Sequence, residues 1–321
     1  MKRATVIALS LLGYALPAAT FAQAFPSKAI ELVVPGAPGA GSDVFARVIA
    51  DLMRKEKLVT QTITINNKAG GGGAVGAAYA AQKRGDPYVV VSFPTGMMLT
   101  AAQRSGLDIG LDKFQPLALL GFDLNCLMVN ADSPYKSVQE LVAAAKAQPK
   151  SINVSIGSAG SSSHMFVYKL QKLTGARFNV VVMKSGAESV TAVLGGHVHW
   201  STGQLSDAIP HVETGKMRIL AVAAQQRLAP LAAIPTMKEQ GFDMHIVAGR
   251  AFAAPAGIPR DAVAYFDAVF EKVYKSAGWQ EYMTRNLLEP VFMNSASYGR
   301  YLAARQPEFT QFITEIGLGG K

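Results

Sequence analysis

The chain has 321 residues, 50% of them hydrophobic, with a formal net charge of +9 and a single cysteine. One cysteine excludes an intrachain disulfide, and Lys and Arg are scattered without a run of five or six, which excludes a nucleic-acid-binding stripe. The remaining basic balance suits a membrane surface or an anionic small ligand.

The N-terminus carries an export signature. Lys2 and Arg3 precede an apolar run from Thr5 to Leu16, and Ala22-Gln23-Ala24 supplies small residues at the two positions a signal peptidase reads. A membrane anchor needs about 20 apolar residues, whereas this run is shorter and breaks at Pro17. Cleavage after Ala24 removes residues 1–24 of 321, leaving a soluble chain of 297 that starts at Phe25, with a charge of +7 once Lys2 and Arg3 are gone. That length is large for one core and predicts two domains.

Apolar strand-like runs then alternate with amphipathic helices, the pattern of α/β lobes with largely parallel sheets. Residues 30–34 read as a strand, and Val44, Phe45, Val48, Ile49, Leu52 and Met53 fall on one helical face. Short strands are expected at 63–65 and 88–93. The apolar stretch 117–130, with Gly121 inside it, is long enough to leave one lobe and enter the next. Ser137-Val138-Gln139-Glu140 matches a capping box and opens a helix through Lys146. Strands at 152–156, 180–183 and 219–223 alternate with helices at 165–173 and around 190–194. An extended segment 245–254 runs into Pro255-Ala256-Gly257-Ile258-Pro259, and helices at 261–274 and 297–316 close the chain. The expected organisation is a first lobe at 25–124, a second at 125–247, and residues 248–321 returning to the first, joined by hinge strands. Cys126 sits in the apolar run Cys126-Leu127-Met128-Val129, as a buried structural thiol would.

Three glycine-rich loops follow strands. The first runs Pro35-Gly36-Ala37-Pro38-Gly39-Ala40-Gly41-Ser42-Asp43 into a helix, and free N–H groups at a helix start favour a bound anion. Gly39 and Gly41 let the backbone approach a ligand; Ser42 is either a ligand contact or the helix cap. The second, Gly157-Ser158-Ala159-Gly160-Ser161-Ser162-Ser163-His164, offers amides and hydroxyls without a charged side chain, which suits reversible capture of a carboxylate. In open α/β sheets ligands sit beyond the carboxyl ends of strands, so the two loops, one in each lobe, make a pincer. The third contains G-x-G-x-x-G at Gly71, Gly73 and Gly76, but no acid follows about 20 residues on as a dinucleotide ribose requires. A tight turn and close helix packing account better for these glycines.

Catalytic and metal constellations are thin. Gly157-Ser158-Ala159-Gly160 is not a nucleophile elbow. His164 is read as hydrogen-bonding its own loop in preference to serving as a hydrolase base. His197 and His199 share a strand face, with His211 as a conceivable third ligand, but no Cys or Glu cluster supports zinc, and surface-turn histidines are the better reading. Met97-Met98 reads as gap filling. No cofactor is expected.

The chain resembles the solute receptors of tripartite tricarboxylate transporters, the TctC or Bug family. The resemblance rests on Phe25-Pro26-Ser27-Lys28-Ala29-Ile30, Val33-Val34-Pro35 with the Ser42-Asp43 loop and Arg47, Asn67-Lys68-Ala69-Gly70 to Gly76, and Asp86-Pro87-Tyr88. Ser158 to His164 is its most specific piece, followed by Lys184-Ser185-Gly186, Leu194-Gly195-Gly196, Gly215-Lys216-Met217-Arg218, Ile234-Pro235-Thr236 with Glu239, and Ala254-Pro255-Ala256-Gly257. It implies a periplasmic, two-lobed Venus-flytrap receptor, not an enzyme, that hands a small organic carboxylate to membrane permease subunits; a monomer is expected. A periplasmic sensor docking on a signalling partner needs the same clamp, and a serine hydrolase is the more remote alternative. Carried onto this chain, Ala37, Pro38, Gly39, Gly41, Ser42 and Asp43 with Ser158, Ala159, Gly160, Ser161, Ser162 and His164 grip the carboxylate. Ser92, Thr95, Met183, Ser185 and Gly186 line the middle. The family's usual Pro-Tyr before Lys184 is Val182-Met183 here, and with Met97 and Phe93 this predicts an apolar pocket for an aromatic or longer-chain acid.

Overall fold

The computed structural model describes residues 25–92 and 109–318. β1 (Ile30–Val34) is nearly all buried and lies parallel between β2 (Ile63–Asn67) and β3 (Val89–Ser92). α1 (Gly41–Lys55) buries Phe45, Ile49, Leu52 and Met53 on one stripe, with Asp43 in its first turn and Arg54 and Lys55 in its last, as the helix dipole favours. α2 (Ala74–Ala81) leads into β3.

β4 (Phe114–Asn130) decides the architecture, because it changes partners midway. Residues 114–124 pair antiparallel with β9 (Val247–Pro255). From Asn125 onward it pairs with β7 (Trp200–Gln204) on one side and β8 (Met217–Val222) on the other. β5 (Asn153–Ile156) runs parallel between β6 (Asn179–Val182) and β7. The continuous order is β2-β1-β3-β9-β4-β7-β5-β6, with β8 branching from β4. The returning chain passes beside the outgoing one: Asn125 N–H donates to Ile246 O at 3.0 Å, and Ile246 N–H to Ala223 O at 3.2 Å. The result is a two-lobed α/β fold whose halves are joined by adjacent extended segments.

The second half carries α3 (Val138–Ala147), α4 (Ser162–Thr174), α5 (Gly186–Leu194) and α6 (Leu205–Glu213). Ser137 caps α3, its Oγ accepting from Glu140 N–H, while the Glu140 carboxylate accepts in return from Lys136 N–H, one residue before the cap. Trp200 packs against Phe178 and Phe166 in this half. In the first half Phe45 stacks on Phe252, which stacks on Phe270, and Trp279 Nε1 donates to Leu120 O.

After β9 come α7 (Arg260–Lys275), α8 (Ala277–Arg285) and α9 (Ser295–Glu315). α8 escapes the sequence reading because Ser276 both ends α7 and caps the next helix, accepting from Trp279 N–H. The first turn of α9 is tied to α7, where Ser295 N–H and Oγ donate to Asp267 at 2.7 Å each. Its far end packs on α4, through Phe312 against His164 and Tyr168 and through the ion pairs Lys169–Glu308 and Lys172–Glu315. The last helix therefore touches both halves. Among the described residues no helix is long and apolar enough to cross a membrane.

His197 and His199 stand in the turn before β7, not on a strand as the alternation implied. Gly196, at φ +70°, ends α5, and His199 Nδ1 accepts from Asn153 N–H at 2.9 Å. That places them as turn histidines; among the described residues no group of three potential metal ligands assembles.

Candidate functional site

The first loop is built to present its backbone. Ala40 is the N-cap residue of α1 and gives no side-chain cap. Asp43 and Val44 N–H both bond to Ala40 O, and among the described residues Gly41 and Ser42 N–H have no partner at the helix mouth. Ser42 is thus inside the helix and is not its cap, which settles one of its two sequence readings; its hydroxyl lies against Gly36. Ala37, Pro38, Gly39 and Gly41 are exposed.

Asp43, expected at the ligand, turns inward. Its Oδ2 accepts from Gly39 N–H and Arg47 Nε, each at 2.9 Å, and its Oδ1 from Asn67 Nδ2 at 2.9 Å. The hydrogen bond from Arg47 is the largest influence holding its pKa down at about 2. The carboxylate therefore shapes the loop, and both oxygens are spent doing so. The third glycine loop braces it from behind. Gly70 to Gly73 all have positive φ, and a Cβ on Gly76 would lie 2.8 Å from Pro35 Cα. The G-x-G-x-x-G match is a packing device.

In the second loop Ser161 is the N-cap of α4: its Oγ accepts from His164 N–H at 3.3 Å and donates to Ser158 O at 2.7 Å. His164 Nδ1 accepts from Gly160 N–H at 3.1 Å, and burial lowers the ring's pKa. That ring serves its own loop and carries no base role. Among the described residues Ser162 and Ser163 N–H have no partner at the helix mouth, while Ser158 and Ala159 are exposed beside them. A Cβ on Gly157 would lie 2.8 Å from Gly186 N, so the second loop touches the start of α5 backbone to backbone. Ser185 caps α5, accepting from Glu188 N–H, and Met183 N–H donates to Ile156 O just before it. Ser92 is buried at the end of β3; Thr95, with Phe93 and Met97, lies outside the described residues.

A charged group missing from the sequence reading links the halves. Asp123 on β4 is fully buried and pairs with Arg250 on β9, and its Oδ2 also accepts from Ser206 Oγ at 3.1 Å. Burial pushes the Asp123 carboxyl up, with Arg250 pulling the other way. Arg250 Nη1 donates to Gly41 O at 3.3 Å, and its guanidinium lies over the Phe45 ring. The first loop, the crossing strands and the start of α6 are thereby wired together. The sequence did hold a signal: Asp123 and Arg250 are charges inside otherwise apolar extended runs, and a buried charge demands a partner. A groove of about 480 Å³ lies along α1 between Arg47, Arg54 and residues 59–63, and none of the loop residues named above lines it.

The architecture is that of a two-lobed solute-binding protein, and the comparisons agree. The model of the tripartite tricarboxylate transporter family receptor, TctC, matches residues 45–318. The UPF0065 protein in gbd 5'region of Cupriavidus necator is 31% identical over 308 residues, 95% of this chain and 92% of the relative. The crystal structure of a TctC solute binding protein from Polaromonas superposes with a TM-score of 0.76 at 29% identity, covering 91% of this chain and 99% of that one. An R. palustris protein solved with adipate gives 0.79 at 25% identity, covering 90% and 97%. The chain belongs to the TctC receptor family, whose members bind solutes and are not enzymes.

Proposed function

We propose that this protein is a periplasmic receptor that captures a small organic carboxylate between its two lobes and delivers it to the membrane subunits of a tripartite transporter. The observation that carries the reading is the pair of helix mouths, Gly41-Ser42 and Ser162-Ser163, where among the described residues these backbone N–H groups have no hydrogen-bond partner and the loops that lead into them contain no Lys or Arg. Such groups hold an anion by several modest bonds, so release remains easy. The change of β4 partners after Leu124 supports lobes of 25–124 and 125–247, with the chain recrossing at 247/248. Adipate in the R. palustris relative supports an acid with an extended carbon chain, in keeping with Met183 in place of a tyrosine. The N-terminal signal and family membership support export to the periplasm and action beside membrane permease subunits.

Native mass spectrometry of protein purified without refolding should reveal a retained organic acid. Calorimetry should then show Ser158→Ala weakening that acid about fivefold, the loss of one hydrogen bond of ~1 kcal/mol. Ser161→Ala should chiefly cost ~1 kcal/mol of stability through its lost cap. Failure of every organic acid to bind at millimolar concentration overturns the assignment. Capture of a small multi-helix membrane protein tests the transporter partner, and capture of a sensor kinase in its place would refute the delivery role.

A further inference from the structure

Strand irregularity, unpaired polar groups and a hydrogen-bonded chain meet where β4 changes partners. The strand is irregular on both sides of Asp123: its register with β9 shifts between Leu119 and Phe122, and its register with β8 shifts between Leu127 and Met128. Such irregularities bend a strand and sharpen its twist, so Asp123 stands in the bend between the halves. Among the described residues Asp123 Oδ1, Asn125 Nδ2 and Oδ1, and Arg250 Nε are buried there with no hydrogen-bond partner. Buried polar groups are nearly always paired. A bend that leaves several unpaired in one arrangement of the halves has partners to gain in another.

A chain of side chains crosses the same bend. Ser206, in the first turn of α6, donates its hydroxyl to Asp123 Oδ2 at 3.1 Å. The same oxygen accepts from Arg250 Nη2, and Arg250 Nη1 donates to Gly41 O at the mouth of α1. Asp207, the next residue on α6, has its carboxyl pKa raised by burial and by Asp123 and lowered by Arg250, so it feels both members of the pair. Its Oδ2 stands 3.1 Å from where a Cβ on Gly186 would be, at the start of α5. The first turn of α6 therefore meets the buried pair through Ser206 and the α5 mouth through Asp207.

We propose that Ser206 is the latch of the lobe hinge: its bond to Asp123 holds the two halves in their present arrangement, and the Asp123–Arg250–Gly41 chain passes that arrangement to the mouth of the first loop. Ser206 is a positioning residue, acting through Asp123 and touching no ligand itself. The proposal rests on the two-lobed receptor reading and is independent of which solute is carried. A neutral hydroxyl suits the task because it can leave Asp123 without stranding a charge, since Arg250 stays paired with the carboxylate.

Double electron–electron resonance on exhaustively dialysed protein reads the lobe arrangement with no ligand added. The spin labels sit on Val75→Cys and Leu173→Cys, exposed positions in opposite halves, while the buried Cys126 stays out of a reagent's reach. In Ser206→Ala the population at the main interlobe distance, relative to all others, should fall about fivefold, the worth of one hydrogen bond. Ser206→Thr, which keeps the hydroxyl, should show the distribution of the parent protein. The thermal midpoint of Ser206→Ala should stay within about 4 °C of the parent, whereas a residue that only supports the fold would lower it and leave the distances alone. Distances in Ser206→Ala that superimpose on those of the parent overturn the latch and leave the carboxylate receptor standing. So does a Ser206→Thr variant that behaves like Ser206→Ala. Failure of the receptor reading shows separately, as the absence of any bound acid.

Discussion

Replacing Asp43 by Asn tests how the first loop is held. The wild-type carboxylate has two acceptor oxygens facing Gly39 N–H, Arg47 Nε and Asn67 Nδ2. An asparagine offers one oxygen, and whichever way it turns, its NH₂ faces a donor. The depression of the pKa from 3.8 to about 2 corresponds to ~2.4 kcal/mol at ~1.36 kcal/mol per unit. The side chain is itself 3% exposed, but Arg47 is 53% exposed, and solvent screening of that partner brings the effect to about 1–2 kcal/mol. Because the folded-state pKa is lowered, this stability is complete above the unfolded value and is lost as pH falls from about 4 towards 2. Urea denaturation at pH 7 should show Asp43→Asn less stable by about 1–2 kcal/mol, and by pH 3 roughly half of that difference should be gone. A penalty below about 0.5 kcal/mol at pH 7, or one unchanged at pH 3, would refute the bracing role.

Arg250→Met should cost about 3–5 kcal/mol, since Asp123 is left buried and unpaired, and Asp123→Ala combined with it should recover most of that loss; equal stability of single and double variants in denaturant contradicts the pairing. Gly76→Ala should destabilise by about 1–3 kcal/mol and weaken ligand binding, because its methyl group meets Pro35 backbone beneath the first loop; a neutral result by thermal unfolding and calorimetry counts against that brace. Cys126 is fully buried and burial pushes its thiol pKa up, so a thiol reagent should leave the native protein unmodified and label one site after denaturation; fast labelling of native protein would contradict the packing.

What the sequence determined by itself was local and periodic. Alternation of apolar runs with amphipathic helices marked the α/β class, the strand at 30–34, the α1 stripe and the Ser137 cap, because burial and capping leave a record in spacing. The glycine loops were legible too, since positive φ and close backbone approach admit few other residues. Which loop atoms stay free was not legible. Only the folded chain shows Asp43 and Ser161 consumed within their loops while Gly41, Ser42 and Ser162 remain open, as hydrogen bonds depend on how the neighbouring turn is wound. Tertiary structure alone brought Asp123 to Arg250, 127 positions apart, and set Asp207 against Gly186. Charge pairing between distant segments leaves no periodicity to read, and it is where β4 changes partners that those segments meet.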